Sequence, residues 1–247
     1  MIYKEVKPRG FLENFIQCFW TYQTTDKAIQ HTILPDGYFD WIAEYDNNVL
    51  TAVKLTGIWT TPKHLVIPKN KTYVAIRFKL LAAEYLLHRD IKSILDTDVR
   101  LPFDFWQINN YQSHDFDTFV KDTTTRIEQS VKHLKTIDDR KLKLFDLVYH
   151  ERINTVAELS EKVVWSSRQI NRYFNTQYGF PLKEFLKIVR FKASYKDLSK
   201  GVLYPDKAYF DQSHFIKEVK KYAGVTPKEL HKNKNDRFLQ LSTIDKP

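Results

Sequence analysis

The spacing of apolar and polar positions changes about halfway along the chain. In residues 1–110 the apolar positions form short runs that alternate with polar ones, as in residues 72–78 (TYVAIRF). A period of two predicts strands, and turn residues at 35–37 (PDG) and 46–48 (DNN) separate the runs. Short strands at this spacing predict a small β-barrel or sandwich. We expect strands over residues 15–22, 38–45, 49–59 and 72–78, and a short helix near residues 82–87.

From about residue 116 the spacing becomes that of helices. Apolar side chains at Phe116, Phe119, Ile127 and Val131 share one broad face of a first helix. This face fits the β-rich half of its own chain and equally a second copy in a dimer. Further helices are predicted over residues 138–149, 156–163, 167–178, 182–198 and 212–222.

These patterns predict an α+β chain, with a small β-rich barrel or sandwich followed by an all-α domain. The boundary between the halves is placed near His133–Thr136. The predicted segments are a β-rich domain over residues 1–113, a connecting helix over 114–135, a helical domain over 136–235 and a tail over 236–247.

Basic residues concentrate in the last two-fifths of the chain. Residues 1–150 carry 20 basic and 19 acidic side chains, a net charge of +1. Residues 151–247 carry 19 basic and 11 acidic side chains, which accounts for the rest of the net charge of +9. A basic domain beside a neutral one favours a polyanionic partner such as a nucleic acid. A solvated surface with chance asymmetry gives the same numbers.

Composition excludes other classes of protein. The single cysteine excludes a disulfide scaffold and a cysteine-rich zinc site. Absence of an apolar run of about 18 residues predicts no membrane span. The first residues (MIYKEV) lack the apolar core of a signal peptide, so we expect a cytoplasmic protein.

Two predicted helices around residue 165 have the spacing of a helix-turn-helix. Thr155 is placed to cap the first helix and Ser166 the second, and Gly179 suits the left-handed position that ends it. The polar face of the second helix carries Arg168 and Arg172, which lie one turn apart. Arginine reads guanine edges and asparagine reads adenine. An ordinary solvated helix also fits this pattern.

A second polar helix begins after Asp211. Its outward positions hold His214, Lys217, Lys220 and Lys221. Such a lysine-rich face binds phosphates or serves solubility alone.

These segments resemble the AraC/XylS family of bacterial transcription regulators. Residues 208–215 (AYFDQSHF) look like the family signature G-[FY]-x-D-x-S-x-F, and residues 220–227 (KKYAGVTP) look like K-[KR]-x-x-G-x-T-P. Residues 166–174 (SSRQINRYF) look like S-x-R-x-L-x-R-x-F. The resemblance covers roughly residues 137–232. It implies a double-stranded DNA partner, with two recognition helices joined by a linker helix over Leu182–Leu198.

The resemblance also implies roles for the positions that match. The base-reading candidates are Arg168, Asn171 and Arg172 in the first recognition helix, and Gln212, Ser213, His214 and Lys217 in the second. The phosphate-binding candidates are Thr155, Ser166, Ser167, Lys220, Lys221 and Lys228.

The chain departs from the family pattern at three places. Val164 stands where the family often has glycine, and Ala208 stands at the glycine of the signature. The segment Val202–Phe210 is short and contains Pro205, where the family usually has a supporting helix. We expect that helix to be truncated or replaced by a loop, which would alter how the second module docks.

The N-terminal half more faintly resembles the cupin-like domains that are fused to such regulators, through residues 31–37 (HTILPDG) and 40–42 (DWI). That resemblance implies sensing of a small effector or self-association. Trp41, Trp59 and Arg77 are the candidates for an effector pocket, although aromatic residues in alternating strands also fit a core. If Arg77 points inward it requires an anionic partner such as Asp36, Asp40 or a bound carboxylate.

Taken together, these features predict a sequence-specific DNA-binding transcription regulator, with no cofactor and no catalytic residues. The histidines are scattered singly, which disfavours a metal site. The resemblance admits a small effector, a homodimer and RNA polymerase as further partners. The alternatives are a partner-binding or structural protein whose second helix-turn-helix is degenerate, and a cupin-type enzyme.

Overall fold

The chain forms a β-rich half followed by a helical half, as the sequence predicts. The computed structural model describes residues 2–132, 137–151, 153, 155–204, 209, 211–233 and 237–244. The strands are β1 (Ile2–Val6), β2 (Ile16–Gln23), β3 (Ile29–Ile33), β4 (Phe39–Asp46), β5 (Val49–Thr56), β6 (Lys63–Ile67), β7 (Lys71–Phe78) and β8 (Asp98–Leu101). The helices are α1 (Leu81–Tyr85), α2 (Phe116–Lys132), α3 (Asp139–Asp146), α4 (Val156–Val163), α5 (Ser167–Tyr178), α6 (Leu182–Ala193), α7 (Tyr195–Ser199), α8 (Gln212–Ala223), α9 (Pro227–Lys232) and α10 (Leu239–Ser242).

The strands form one large antiparallel sheet and one separate pair. The large sheet has the order β1-β2-β7-β4-β5-β8, and β3 pairs with β6. Within the described residues, β1 and β8 each pair with one strand only, so the sheet is open and, of the barrel and the sandwich that the sequence allowed, it does not close into a barrel. The α+β class and the order of the halves are confirmed.

Alternation along β4 gives the sheet two different faces. Phe39 and Trp41 are fully buried on one face, where the ring of Phe119 on α2 stacks on Trp41 at a centroid distance of 5.7 Å. The opposite face, called the inner face below, carries Trp20 and Arg77. It lies under the β3–β6 pair and the C-terminal helices.

The apolar side of α2 packs on its own chain. Phe116, Phe119 and Ile127 are buried in the core that α2 shares with the sheet. Of the two alternatives that the sequence left open for this face, packing within the chain is therefore confirmed. A dimer through the same face would require these contacts to be broken.

The predicted linker helix over Leu182–Leu198 is interrupted. α6 ends at Ala193 and α7 starts at Tyr195, with Ser194 between them. Ser194 is buried and its hydroxyl donates to the carbonyl of Phe191 at 2.6 Å. A serine side chain that bonds its own backbone competes with the regular helical ladder, which explains the break.

Two buried cores hold the helical half in place. The first is continuous with the sheet core and includes Phe174 of α5 and Phe185 of α6. The second joins Phe191 of α6 to Tyr222 of α8 and includes Leu34, which precedes β4. Both cores therefore contain residues from the β-rich half and from the helical half.

The described part of the predicted C-terminal tail is packed. Phe238 is buried in the second core, and Thr32 donates its backbone N–H to the carbonyl of Arg237 at 2.6 Å. The side-chain amide of Gln240 accepts from the N–H of Leu34 at 3.0 Å and donates to its carbonyl at 2.9 Å. Residues 237–244 therefore join the second core to β3 rather than forming a loose tail.

Two sequence predictions fall partly outside the described residues. The proposed boundary at His133–Thr136 lies entirely outside them. Val202–Tyr204 and Tyr209 are described and are not helical, whereas residues 205–208 and 210 lie outside. The truncation of the supporting helix, the segment limits and the role of Ala208 therefore remain predictions. Among the helices that the structure describes, none is both long and apolar enough to cross a membrane.

Candidate nucleic-acid interface

A helix-turn-helix is formed by α4 and α5, called the first module below. Thr155 caps α4, since its hydroxyl accepts the N–H of Glu158 at 3.3 Å. The turn begins at Val164, which has φ +52° and a side chain that is 85% exposed. Few β-branched residues adopt this left-handed conformation, which explains why glycine is favoured at such a turn.

α5 has defined ends and one buried face. Ser166 and Gln169 form a capping box, in which Gln169 N donates to Ser166 Oγ at 3.3 Å and Ser166 N donates to Gln169 Oε1 at 3.2 Å. Gly179 ends the helix with φ +86°. Ile170 and Phe174 are fully buried, which fixes the opposite face toward solvent.

Arg168 and Arg172 lie on the solvent face of α5 and are exposed. Neither forms an ion pair with any carboxylate among the described residues. Guanidinium groups that are exposed and unpaired on a helix remain available to base edges or phosphates.

Asn171 is placed differently from the two arginines. It is partly buried, its Nδ2 donates to the carbonyl of Ser167 at 3.0 Å, and its Oδ1 accepts from the backbone N–H of Leu182 at 3.1 Å. Both polar atoms of the side-chain amide are therefore engaged within the protein.

A groove of about 370 Å³ runs beside Arg172 on the first module. Arg140 and Trp165 line it, with the guanidinium of Arg140 at 5.2 Å from the centre of the Trp165 ring. Arg140 also pairs with Asp138 at 2.7 Å. Sequence reasoning missed Arg140 and Trp165, because the turn and the start of α3 meet only in the folded chain.

The second module consists of α8 and α9. Asp211 caps α8 by accepting the N–H of His214 at 2.7 Å, and Gly224 ends the helix with φ +71°. Phe215 and Val219 are buried on its inner side. The exposed side chains include all four base-reading candidates and two phosphate candidates: Gln212, Ser213, His214, Lys217, Lys220 and Lys221.

Acidic residues lie close to part of this surface. Glu218 is buried and pairs with Arg190 of α6 at 2.6 Å, and His214 Nε2 lies 3.7 Å from the same carboxylate. Lys221 Nζ lies 3.3 Å from Glu184 of α6. Lys217 and Lys220 have no ion-pair partner in the part of the chain that the structure describes.

The remaining phosphate candidates lie at helix starts. The hydroxyls of Thr155 and Ser166 are engaged in capping, and Ser167 is partly buried in the first turn of α5. Lys228 is exposed in the first turn of α9, which Thr226 caps with Glu229 in a capping box. Backbone N–H groups and partial positive charge at such helix starts favour phosphate.

Arg77 lies inward on β7 and has the anionic partners that its burial requires. Its Nε is 3.1 Å from Asp40 and its Nη1 is 3.7 Å from Asp36. Burial alone lowers the pKa of Arg77, but the carboxylates of Asp40 and Asp36 more than offset this and hold it well above its usual value. Asp36 and Asp40 are thus the two protein partners that the sequence offered for an inward-pointing Arg77.

Two neighbouring cavities lie on the inner face, and Arg77 lines both. One of about 450 Å³ lies under the β3–β6 pair and includes Trp59. The other, of about 300 Å³, lies between the sheet and α6 and includes Lys192. Trp41 contributes to neither, because the alternation of β4 turns its ring into the core on the other side of the sheet.

No group of three or more histidine, cysteine, aspartate or glutamate side chains that could hold a metal ion occurs among the described residues. Cys18, on β2, is fully buried, and burial raises the pKa of its thiol.

A family described as Domain of unknown function (DUF6597) matches residues 4–100. No curated protein matches the chain. Solved structures of ToxT from Vibrio cholerae are similar to it at low identity. The apo form of a strain SCE256 variant shares 16% identity, with 85% of this chain and 96% of that chain covered and a TM-score of 0.42.

Two further ToxT structures have similar values. A 1.65 Å structure in the P21 form shares 13% identity, covers 93% of this chain and 97% of that chain, and has a TM-score of 0.40. A form with bound unsaturated fatty acid shares 15% identity, covers 85% and 92%, and has a TM-score of 0.38. The likeness at these values is distant, and the assignment of the interface rests on the residues described above.

Proposed function

We propose that this chain is a sequence-specific DNA-binding transcription regulator. One observation carries the proposal: α5 follows a short turn, is capped at both ends, and exposes Arg168 and Arg172 without any carboxylate partner among the described residues. Resemblance of residues 137–232 to the AraC/XylS family supports the same reading. Recognition helices α5 and α8 would enter successive major grooves, about one helical turn apart.

Under this proposal each exposed side chain has a defined partner on DNA. Base edges are read by Arg168 and Arg172 from α5, and by Gln212, Ser213, His214 and Lys217 from α8. Phosphates are bound by Thr155, Ser166, Ser167, Lys220, Lys221 and Lys228, through side chains or through the helix starts that they occupy.

The inner face of the sheet is the proposed effector site. Trp59 and Arg77 line its cavity of about 450 Å³, which is large enough for a small molecule. The ToxT structures include one with a bound unsaturated fatty acid. A thermal-shift screen of small metabolites tests this site, since Trp59→Ala should abolish a shift that Trp165→Ala leaves intact.

A homodimer, RNA polymerase contact and a cytoplasmic location complete the proposal. The homodimer and the polymerase contact are expectations of the family resemblance, and the cytoplasmic location is an expectation from the first residues of the sequence. Sedimentation of the full chain with and without its DNA site measures the oligomeric state.

Binding selection tests DNA recognition directly. Duplexes bound by the full chain are selected from a random library, and affinity for the selected site is measured from about 50 to 200 mM salt. We expect a steep decrease with salt, because Lys and Arg contacts to phosphates release counterions. Arg168→Ala should cost about 1–3 kcal/mol and relax preference at one base pair.

The matched control is Arg9→Ala, which removes an exposed guanidinium from the β-rich half. Selection that enriches no sequence would contradict the proposal. In that case the partner-binding alternative, with a second module that does not read bases, gains support. A footprint of one groove instead of two would assign DNA reading to the first module alone.

A further inference from the structure

The start of α6 lacks a cap from its own sequence. Its N-cap residue is Pro181, which forms no side-chain capping bond. The first N–H groups of a helix have no partner within the helix, so each requires one from elsewhere. The N–H of Leu182 donates to Asn171 Oδ1 at 3.1 Å, and Asn171 belongs to α5. A residue of the first recognition helix therefore caps the helix that follows it.

The orientation of this amide is fixed by a second bond. Asn171 Nδ2 donates to the carbonyl of Ser167 at 3.0 Å. Reversing the amide would set NH₂ against the N–H of Leu182 and oxygen against the carbonyl of Ser167, and both bonds would be lost. Reading an adenine requires both amide atoms at once. In Asn171 one amide hydrogen and one oxygen lone pair are already bonded inside the protein and the side chain is partly buried, so the amide is held against the start of α6 and is not extended toward a base edge.

α6 is the element that sets where α8 lies relative to α5. Near its start Phe185 packs on Phe174 of α5 at a centroid distance of 5.7 Å. Near its end Phe191 stacks on Tyr222 of α8 at 5.3 Å. With 12 residues α6 is roughly 18 Å long, so a tilt of about 10° moves its far end by about 3 Å. A displacement of that size breaks hydrogen bonds to base edges.

We infer that Asn171 is a positioning residue: its side-chain amide caps α6 and fixes the angle between α5 and α6, and thereby the separation of the two recognition helices, instead of reading bases. The claim that Asn171 caps α6 rests on contacts within the protein alone. Its consequence for DNA rests on the proposed function. The substitutions that separate these roles are Asn171→Ala, which removes the acceptor, and Asn171→Asp, which keeps an oxygen for Leu182 N and adds a charge that suits a helix start.

The first experiment needs no DNA. The full chain carries Cys18→Ser, which removes its native cysteine, and nitroxide labels are attached at Thr176→Cys on α5 and Lys217→Cys on α8. Both labelled positions are exposed. Double electron–electron resonance measures the distance between the two labels. Asn171→Ala should shift or broaden the distribution by about 3 Å. Asn171→Asp should keep the distribution of the parent.

Asn175→Ala is the matched control. This asparagine lies one turn later on α5, and its amide donates to the carbonyl of Asn171 at 2.9 Å within the same helix. Its loss should leave the distance unchanged. An Asn171→Ala distribution equal to that of the parent would overturn the inference.

The second experiment uses the selected DNA site. Asn171→Ala should lose roughly fivefold in affinity for a duplex with both half-sites and nothing for a duplex with only the half-site of α5, as expected for a lost helix cap. Asn171→Asp should match the parent on both duplexes. A change of base preference at one position in both variants would instead show base reading and overturn the inference.

The two experiments separate the inference from the proposed function. A chain that selects no DNA but shows the distance change in Asn171→Ala would refute DNA reading and retain the capping role of Asn171. A chain that selects DNA but shows no distance change in Asn171→Ala would support DNA reading and refute the positioning role of Asn171.

Discussion

Arg77 lies between two carboxylates on the inner face, 3.1 Å from Asp40 and 3.7 Å from Asp36. Burial raises the pKa of Asp36, and the charge of Arg77 opposes this effect. Asp40 also accepts the indole N–H of Trp20 at 2.9 Å. Removing the guanidinium would deprive both carboxylates of their nearest counter-charge and leave Asp36 with only Lys192 nearby, which is the costly way to break such a cluster.

Arg77→Ala should therefore lower the free energy of unfolding by about 3–5 kcal/mol at neutral pH. Because the pKa of Asp36 is raised in the folded chain, its contribution to stability is present at low pH and is lost as pH rises through that pKa. Losing Arg77 raises this pKa further, so the deficit of the variant should shrink as pH falls. Urea unfolding at pH 5 and pH 8 measures the difference in the free energy of unfolding between the variant and the parent. The control is Lys69→Ala, which lies on an exposed turn.

Val164 holds a left-handed conformation in the turn of the first module, with φ +52° and an 85% exposed side chain. Such a conformation costs a non-glycine residue about 1–2 kcal/mol, and glycine avoids it. Val164→Gly should raise the free energy of unfolding by about 1 kcal/mol after the entropy of glycine is counted. Val49→Gly, at an exposed strand position, should lower it. A lower melting temperature for Val164→Gly would contradict the strain argument.

The residues that cap helices predicted where a helix ends, but the sequence did not predict where a helix is interrupted. Ser166 and Gly179 bound α5 as the sequence indicates, because capping depends on neighbours in sequence. The break at Ser194 was not predicted, since a serine bonds its own backbone only where packing allows it. The sequence did not predict β1, β3, β6 and β8, because each has only four or five residues and exists through pairing with a strand elsewhere in the chain.

In the candidate site, too, local sequence predicts some features and the packing of the folded chain decides others. Exposure of Arg168 and Arg172 follows from the helical period, and so the sequence was enough to predict it. The capping role of Asn171 depends on Leu182, eleven residues later, and required the folded chain. Trp41 was proposed for a pocket because it is aromatic, whereas the register of β4 turns it into the core.

α6 and α8 are joined by a buried ion pair between Arg190 and Glu218. Glu218→Ala would leave the guanidinium partly buried without its carboxylate, at a cost of about 3–5 kcal/mol to the second module. Amide hydrogen exchange should accelerate in α8 and stay unchanged in α5. Glu184→Ala, which removes the exposed pairs with Lys187 and Lys221, should cost less than about 1 kcal/mol. Equal effects of the two variants would show that the buried pair does not secure α8.

At the scale of the whole molecule, the β-rich half and the second module share a core. Leu34 is buried among residues of α6, α8 and the C-terminal segment, and its backbone bonds to the side chain of Gln240 at both N–H and carbonyl. Gln240 and Leu239 also line the inner-face cavities. Under the proposed function, a ligand on the inner face would therefore touch the segment that anchors the second module, and the shared core would link the effector site to the DNA-contacting helices.

Substitution of Phe238 tests whether the shared core couples the β-rich half to the second module. Its ring is 2% exposed in the second core, beside the segment that pairs with β3. Phe238→Ala should lower the free energy of unfolding by about 3–5 kcal/mol, because the surrounding residues cannot fill the cavity that it leaves. Because both halves border this core, fluorescence of the β-rich half and exchange in α8 should report one common transition. The control is Val66→Ala, at an exposed strand position. Separate transitions in the parent chain would mean that the halves fold independently, and the route from effector to DNA would then need another physical basis.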